Sequence, residues 1–516
     1  LLEKAHGYCA DHLDWYAICV LRRASCYNAL RCGFSRSEAL EMLGVKGLPV
    51  NDSNSSPHAA LSALRAALKD VTMSDSPAEL EKLSRDYYWY SPILTEALDG
   101  KRGELIVRPA SQAQVVQVAA ACTKHRVPLT VRGGGTGNYG QCVPLAGGVI
   151  LDTSLLSRIE QIVPGVATVQ TGALMGDIND AARKTGQQLC MFPSTERIAT
   201  IGGFIAGGHS GIGSIRHGIL KDPGNVSRIR VVTLEDVPQV LDLRGADIEK
   251  VHHAYGTNGI IAELDVRLTE AIEWLHTITL FDSYADVLRF GMVVGDLAVN
   301  HNRQLDVFQL SAVERRITPY YEGMRGKLQD KDVMFAQVSP ASIDAFKILA
   351  RQMGGEVAVC DTEAALMAQG LPSATECAYN HTTLQALKHD RNVTYLQVAF
   401  PHPFSIDLVV KLMDLLRDEV YMHHEFSKSG NELVAFALPL VQYFDAAQIR
   451  HLIKVFEDHG CWIFDPHTYI LEDGGMKQVD EAQLAFKQLA DPHGLMNPGK
   501  MRAWDERSAK QGAAHA

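Results

Sequence analysis

Two glycine-rich stretches hold the residue types best suited to gripping a ligand. The first runs through Arg132, Gly133, Gly134, Gly135, Thr136, Gly137 and Asn138, directly after a strand-like segment 128–131. Glycines lack Cβ, so successive backbone N–H groups can converge on one point, and such a concave nest binds an anion, a phosphate above all. A hydrogen bond to a charged group contributes roughly 1.5–3 kcal/mol, so a few of them hold a pyrophosphate without lysine. No Gly-Lys-Ser/Thr closes the loop as in a Walker A motif, and it does not enter a helix with an acid about 20 residues on, as a Rossmann fingerprint does. For this loop alone, a glycine hairpin without ligand is the alternative.

The second stretch contains Pro193, Thr200, Gly202, Gly203, Gly207, Gly208, His209 and Gly211. Its bare backbone can lie against a flat ring, so the two loops together ask for a long ligand with a phosphate middle and a planar end. FAD meets both requirements. Oxidation of a substrate on a flavin also needs a base, and histidine suits the task because its ordinary pKa of about 6.5 lies near working pH. His467, in Trp462-Ile-Phe-Asp-Pro-His-Thr-Tyr469, follows a buried-looking strand and is the candidate base; satisfying a turn is its alternative role. Asp465, Tyr469 and His381 are the candidate substrate contacts, although His381 could equally help to cap a helix. His423, His424 and Glu425 are adjacent, but neighbours on a strand point to opposite faces, so no metal site is expected.

The elements that must position these residues follow from patterning. Residues 105–107 read as a strand, Ser111 as the cap of a helix with Val115, Val118, Ala119 and Cys122 on one face, and 148–152, 159–163 and 167–171 as strands. A helix over 174–185, a strand over 226–234, a helix over 247–255 and a strand over 260–268 complete this part. Beyond 271 a β-α-β-β-α-β order occurs twice, at 277–359 and 394–464, which is the ferredoxin-like unit. Two such units predict a broad antiparallel sheet with helices on one face, placed as a cap over the ligand-binding domain. The expected class is α+β, divided into an N-terminal appendage 1–85, an FAD-binding domain 86–271, a cap 272–490 and a tail 491–516 returning to the flavin. The chain opens Leu1-Leu2, read as a truncated or read-through start, with weak helical patterning near 61–68.

Composition sets outer bounds. Among 516 residues, 46% are hydrophobic and 21% charged, the balance of a folded protein, and the net charge of −11 argues against nucleic acid as a partner. Ten cysteines without a CxxC pair read as free thiols of a reducing compartment, and no apolar run is long enough to span a bilayer, so a cytoplasmic location is expected.

These motifs converge on a known family. Val107-Arg-Pro-Ala-Ser111, Pro128-Leu-Thr-Val-Arg-Gly-Gly-Gly-Thr-Gly137, Thr200-Ile-Gly-Gly203, Arg216-His-Gly218 and Tyr255-Gly-Thr-Asn-Gly-Ile-Ile261 resemble the FAD-binding domain of the vanillyl-alcohol oxidase and p-cresol methylhydroxylase (PCMH) superfamily. The ending Asp491-Pro-His-Gly-Leu-Met-Asn-Pro-Gly-Lys500 is similar to that of its glycolate oxidase subunit and D-lactate dehydrogenase branch. The resemblance implies FAD between two subdomains, with residues 132–138 on the pyrophosphate, 193–203 along the cofactor and 207–211 near the ring. It further implies backbone contacts from Gly256, Gly259 and Ile261, and a flavin edge closed by Asn497, whose alternative is a plain turn with Pro498 and Gly499. Thr136 stands where several relatives tether the flavin through His, so noncovalent FAD is expected. His467 matches a family histidine, while Pro466 replaces the Glu before it, and residues 421–431 do not reproduce the family's metal-binding segment.

The function implied is hydride transfer from an alcohol or 2-hydroxy-acid carbon to FAD. The electrons then pass to oxygen, a quinone, a cytochrome or an electron-transfer flavoprotein. A phenolic or benzylic alcohol substrate, an electron-transfer subunit of a larger complex, a nucleotide-binding protein without catalysis and a homodimeric assembly stay open.

Overall fold

The computed structural model describes residues 57–300, 303–324 and 330–514, all within one compact unit. Ser111 accepts a hydrogen bond from Gln114 N at 3.3 Å and starts helix Gln112–His125, whose Val115, Val118, Ala119 and Cys122 are fully buried. That helix covers strands Leu105–Arg108, Val149–Asp152 and Leu129–Arg132, which pair in parallel. The helix is the crossover from Leu105–Arg108 to Leu129–Arg132, and Val149–Asp152 lies between these two strands in the sheet. Strand Thr72–Ser74 extends this sheet antiparallel, and helix Pro57–Ala67 buries Leu64 in the same core. Residues 57–85, expected as part of an appendage, therefore add a strand to the first sheet and pack Leu64, Leu68 and Leu80 against it. Residues 1–56, with Cys9, Cys19, Cys26 and Cys32, lie outside the described residues.

The second sheet is antiparallel, in the order Ile159–Val163, Val166–Gln170, Ile260–Glu270, Val226–Val232, Val240–Leu243, with Gln187–Leu189 also on Ile260–Glu270. Two local expectations change here. The helix expected over 247–255 is a 3-10 segment, Gly245–Lys250, because His253 (φ 46°) and Tyr255 (φ 51°) take left-handed backbone that no right-handed helix accepts. The second glycine stretch contains helix Ile201–Gly207, capped by Thr200, and a single turn Ser214–His217.

The cap is an eight-stranded antiparallel sheet. Its first half runs Glu356–Thr362, Leu275–Phe281, Asp332–Val338, Val307–Val313, and its second half His423–Ser429, Glu432–Ala437, Val398–Ala399, Trp462–Ile463. Numbered within each copy, the orders are 4-1-3-2 and 2-3-1-4, so two ferredoxin-like units meet through their second strands, joined by the pairing Ser311↔Glu425. Helices Tyr284–Val299, Ile343–Gln352, Ile406–Leu415 and Ala446–Asp458 pack on one face over Phe290, Phe346, Val409, Leu412 and Phe456. The tail returns to the first sheet, where Leu129 N donates to Leu495 O and Asn497 N to Leu129 O, each at 2.8 Å. No helix among the described residues is long and apolar enough to cross a membrane.

Candidate active site

A cavity of about 930 Å³ separates the glycine stretches from the uncovered part of the cap sheet. Its floor begins at the first loop, which is fastened from behind: Tyr87 N donates to Gly137 O at 2.7 Å and Gly134 N to Thr200 Oγ1 at 3.4 Å. A Cβ on Gly134 would sit 2.2 Å from Ile198 O, so the two glycine stretches touch backbone to backbone. On the cavity side, the N–H groups of Gly135, Thr136, Gly137 and Asn138 make no hydrogen bond to any described residue. Unpaired N–H groups in succession form an anion nest, and this one fits the pyrophosphate of FAD.

Gly133, Pro193, Thr200, Gly202, Gly203, Gly207, Gly208, His209, Gly211, Gly256, Gly259 and Ile261 all line the same cavity. Some of the glycines serve packing as well: a Cβ on Gly202 would meet Thr171 Oγ1 at 1.8 Å, where helix Ile201–Gly207 abuts the end of strand Val166–Gln170. His209 and His253 are neutral at neutral pH, burial pushing them down to about 4 and about 3 respectively, and His253 Nδ1 lies 2.9 Å from Gly208 O.

Two expected cofactor contacts do not reach the cavity. Arg132 turns its guanidinium back onto the carbonyls of Leu83 and Arg85 and onto Cys142 Sγ, anchoring the strand before the loop. Asn497, at φ 42°, donates from Nδ2 to Gln141 O at 2.7 Å and Tyr255 O at 2.6 Å. It braces the first loop against the Tyr255 turn, so it shapes the site from behind.

The roof comes from the cap by strand alternation. On strand His423–Ser429, His424 and Phe426 turn to the helices, with His424 Nδ1 2.8 Å from Tyr284 Oη, while Ser427 and Ser429 line the cavity. Val434 and Phe436 on the next strand line it too, as do Gln397, Ala399, Trp462 and Phe464. Behind Ser427 on the same face, His423 Nε2 lies 2.8 Å from Glu425 Oε1. The Glu425 carboxyl, 1% exposed, also accepts from Ser311 Oγ at 2.7 Å and from Tyr379 N at 2.6 Å. Among the described residues no group of three or more His, Cys, Asp and Glu side chains is arranged to hold a metal.

Tyr379 spans the junction of the two walls. Its backbone is at φ 49°, it precedes helix Asn380–His389, and its phenol donates to Gly211 O at 2.7 Å. A non-glycine residue in this conformation costs about 1–3 kcal/mol and marks a functional site when its surroundings enforce it; here Glu425 and Gly211 hold it from both ends. Beside it, Asn380 Oδ1 and His381 Nδ1 are buried without a hydrogen-bond partner, Ser427 neighbours the Tyr379 phenol, and all three residues line the cavity. His381 Nδ1 stands 3.6 Å from Glu376 Oε2, and burial holds its imidazole below the ordinary value despite that carboxylate.

His467 is not at the cavity. Its Nδ1 lies 2.7 Å from Ser91 Oγ and its Nε2 3.0 Å from Tyr395 O, so both ring nitrogens are occupied, and burial pushes it down to about 4. Asp465 Oδ1 accepts from His467 N at 2.8 Å, and Tyr469 packs with Tyr88 and Leu98 under the Lys500 ammonium. These three residues form a structural turn that joins the cap to residues 88–98. Sequence reasoning weighed Glu425 only as a metal ligand, gave no role to Tyr379 within its polar run and missed Ser427; the i, i+2 spacing of Glu425, Ser427 and Ser429 was the available signal.

Comparison with known proteins places this geometry. Residues 103–236 match the model of an FAD binding domain. The chain is 23% identical over 433 residues to a glycolate oxidase subunit of Bacillus subtilis (strain 168), covering 78% of this chain and 90% of that one. It is 29% identical over 191 residues to a D-lactate dehydrogenase of Anaerostipes hadrus, where the match spans only 34% and 38% of the two chains. Among solved structures, an alkyldihydroxyacetonephosphate synthase superposes with TM-score 0.66 at 14% identity, covering 88% of each chain. A 4-ethylphenol oxidase from Gulosibacter chungangensis does so with TM-score 0.59 at 17% identity, covering 88% of this chain and 98% of that one. At such identities the two structures establish the fold.

Proposed function

We propose that this chain, an FAD-dependent oxidoreductase with the fold of the PCMH-type FAD oxidases, removes a hydride from the CH–OH carbon of an alcohol or 2-hydroxy acid and hands the electrons on to an acceptor. The observation that carries this reading is one cavity with the phosphate nest on its floor and the polar patch of Tyr379, Asn380, His381 and Ser427 in its roof. FAD, when bound, supplies the hydride acceptor.

The remaining chemistry belongs to the protein. The substrate carbon gives up its C–H electron pair with the hydrogen, its O–H proton goes to His381 Nδ1, and a carbonyl product remains. A neutral imidazole is required for that role, and burial keeps His381 in that form. The Glu376 carboxylate, half exposed at 3.6 Å, gives the proton a way out to solvent. Tyr379 keeps its own proton, because burial and, second, the Glu425 carboxylate push its phenol up. It therefore acts as a fixed hydrogen-bond donor at the junction of the walls.

The test is anaerobic titration of the yellow holoprotein with a panel of alcohols and 2-hydroxy acids, read as bleaching of the flavin band. At least one member should bleach it, and His381→Gln should slow the bleaching by about 10²–10⁴-fold, the usual contribution of a positioned base. A flavin that bleaches only with reduced electron carriers would make the chain an electron-transfer subunit and sink this reading.

A further inference from the structure

The roof of the cavity discriminates by charge. Asn380 Oδ1 and His381 Nδ1 are buried without a hydrogen-bond partner and Ser427 stands beside them, yet none of the three carries a positive charge, and burial disfavours the protonated form of His381. The surrounding surface of Ala399, Val434, Phe436 and Phe464 is apolar. An ionised carboxylate moved onto such a surface needs a cation to replace the hydration it loses. Among the described residues lining the cavity there is no arginine. Its two lysines, Lys221 and Lys477, both neighbour Glu249, and Lys477 Nζ is also held by the carbonyls of Glu249 and His252. The carboxylates nearest the polar patch are Glu376, 3.6 Å from His381 Nδ1, and the buried Glu425, which is bonded to the backbone of Tyr379 and to His423 Nε2 and works against an anion on the Tyr379 phenol.

From this arrangement we infer that the substrate is an uncharged alcohol with an apolar body: its hydroxyl meets Asn380, His381 and Ser427, its body lies on Val434 and Phe436, and 2-hydroxycarboxylates are rejected. The inference rests on the reading of this cavity as the site of alcohol oxidation. It runs against the hydroxy-acid chemistry in the names of the glycolate oxidase and D-lactate dehydrogenase relatives, and follows from the charges of this chain's own cap.

A matched pair of ligands tests it. 1-Phenyl-1,2-ethanediol and mandelate share a CH–OH carbon and a phenyl ring and differ in a neutral CH₂OH against a carboxylate. Titrated into the holoprotein at pH 7 and followed by the visible flavin spectrum before any bleaching, the diol should bind at least tenfold more tightly. Glu425→Gln, which takes a carboxyl group from behind the roof, should narrow that ratio at least threefold; the wild-type ratio decides alone if the variant does not fold. Equal or tighter binding of mandelate, or no spectral response to either compound, overturns the inference. Selective diol binding without bleaching by any alcohol would uphold the charge selectivity and defeat the oxidation reading.

Discussion

His467 and His381 are both imidazoles withdrawn from water, yet only one has a nitrogen to spare. His467 is bonded at Nδ1 to Ser91 and at Nε2 to Tyr395 O, whereas His381 lines the cavity and its Nδ1 has no hydrogen-bond partner. His467→Asn should therefore leave the rate of flavin bleaching and its pH profile within about twofold of wild type. It should lower stability by about 1–3 kcal/mol, the cost of leaving a buried partner unsatisfied, measured as a drop in the urea midpoint of the holoprotein. At this scale the residue types were legible and their partners were not. A histidine after a strand reads alike whether it faces a cavity or a buried hydroxyl, and Ser91 is 376 positions away from His467.

The glycine stretches act as elements through their contact with each other. Gly134 sits where a methyl group would strike Ile198 O, and that carbonyl belongs to the other stretch. Gly134→Ala should push the loops apart and open the nest. The variant should retain less than about a tenth of its FAD through gel filtration, while the far-ultraviolet circular dichroism stays unchanged. Helix Ile201–Gly207 was hidden in the sequence because glycine is a poor helix former; close packing on Thr171 selects the glycines there. The cap strands were legible by alternation, and the same alternation places His424 away from Glu425 and Ser427 beside the cavity.

Across the whole molecule, burial keeps an unusual set of imidazoles uncharged. His209 and His467 are pushed down to about 4, and His217, His253 and His424 to about 3. In the unfolded chain each would titrate near 6.5, so between about pH 6.5 and pH 4 the unfolded state binds more protons than the fold. Stability is then full above pH 6.5 and falls as the pH drops through that window. Asp86, pushed up by burial against the pull of Lys500, has the opposite sign, as do Glu196, Asp465 and Asp505, which burial also raises; the lowered imidazoles, with His276 and His381 added, outnumber these carboxyls. The urea midpoint of the holoprotein should decline steadily from pH 7 to pH 5, and a midpoint that rises on acidification would contradict this assignment. Contacts that clamp the FAD-binding part to the cap include Arg216 paired with Asp306 at 2.6 Å, Gln397 Nε2 donating to Tyr139 Oη at 2.6 Å and the Tyr379 phenol donating to Gly211 O at 2.7 Å.

By itself the sequence determined the local chemistry: two glycine stretches able to carry a pyrophosphate, the α+β alternation, and the two copies of the cap unit. These depend on residue type and on periods of two and 3.6, which neighbours in the chain supply. Tertiary structure alone decided that His381 and not His467 lines the cavity with an unbonded nitrogen on its ring, that Arg132 and Asn497 brace the site from behind, and that a buried carboxyl group stands behind the roof of the cavity. Each of these turns on burial and on partners from distant strands, since solvation and hydrogen-bond competition exist only once the walls have closed.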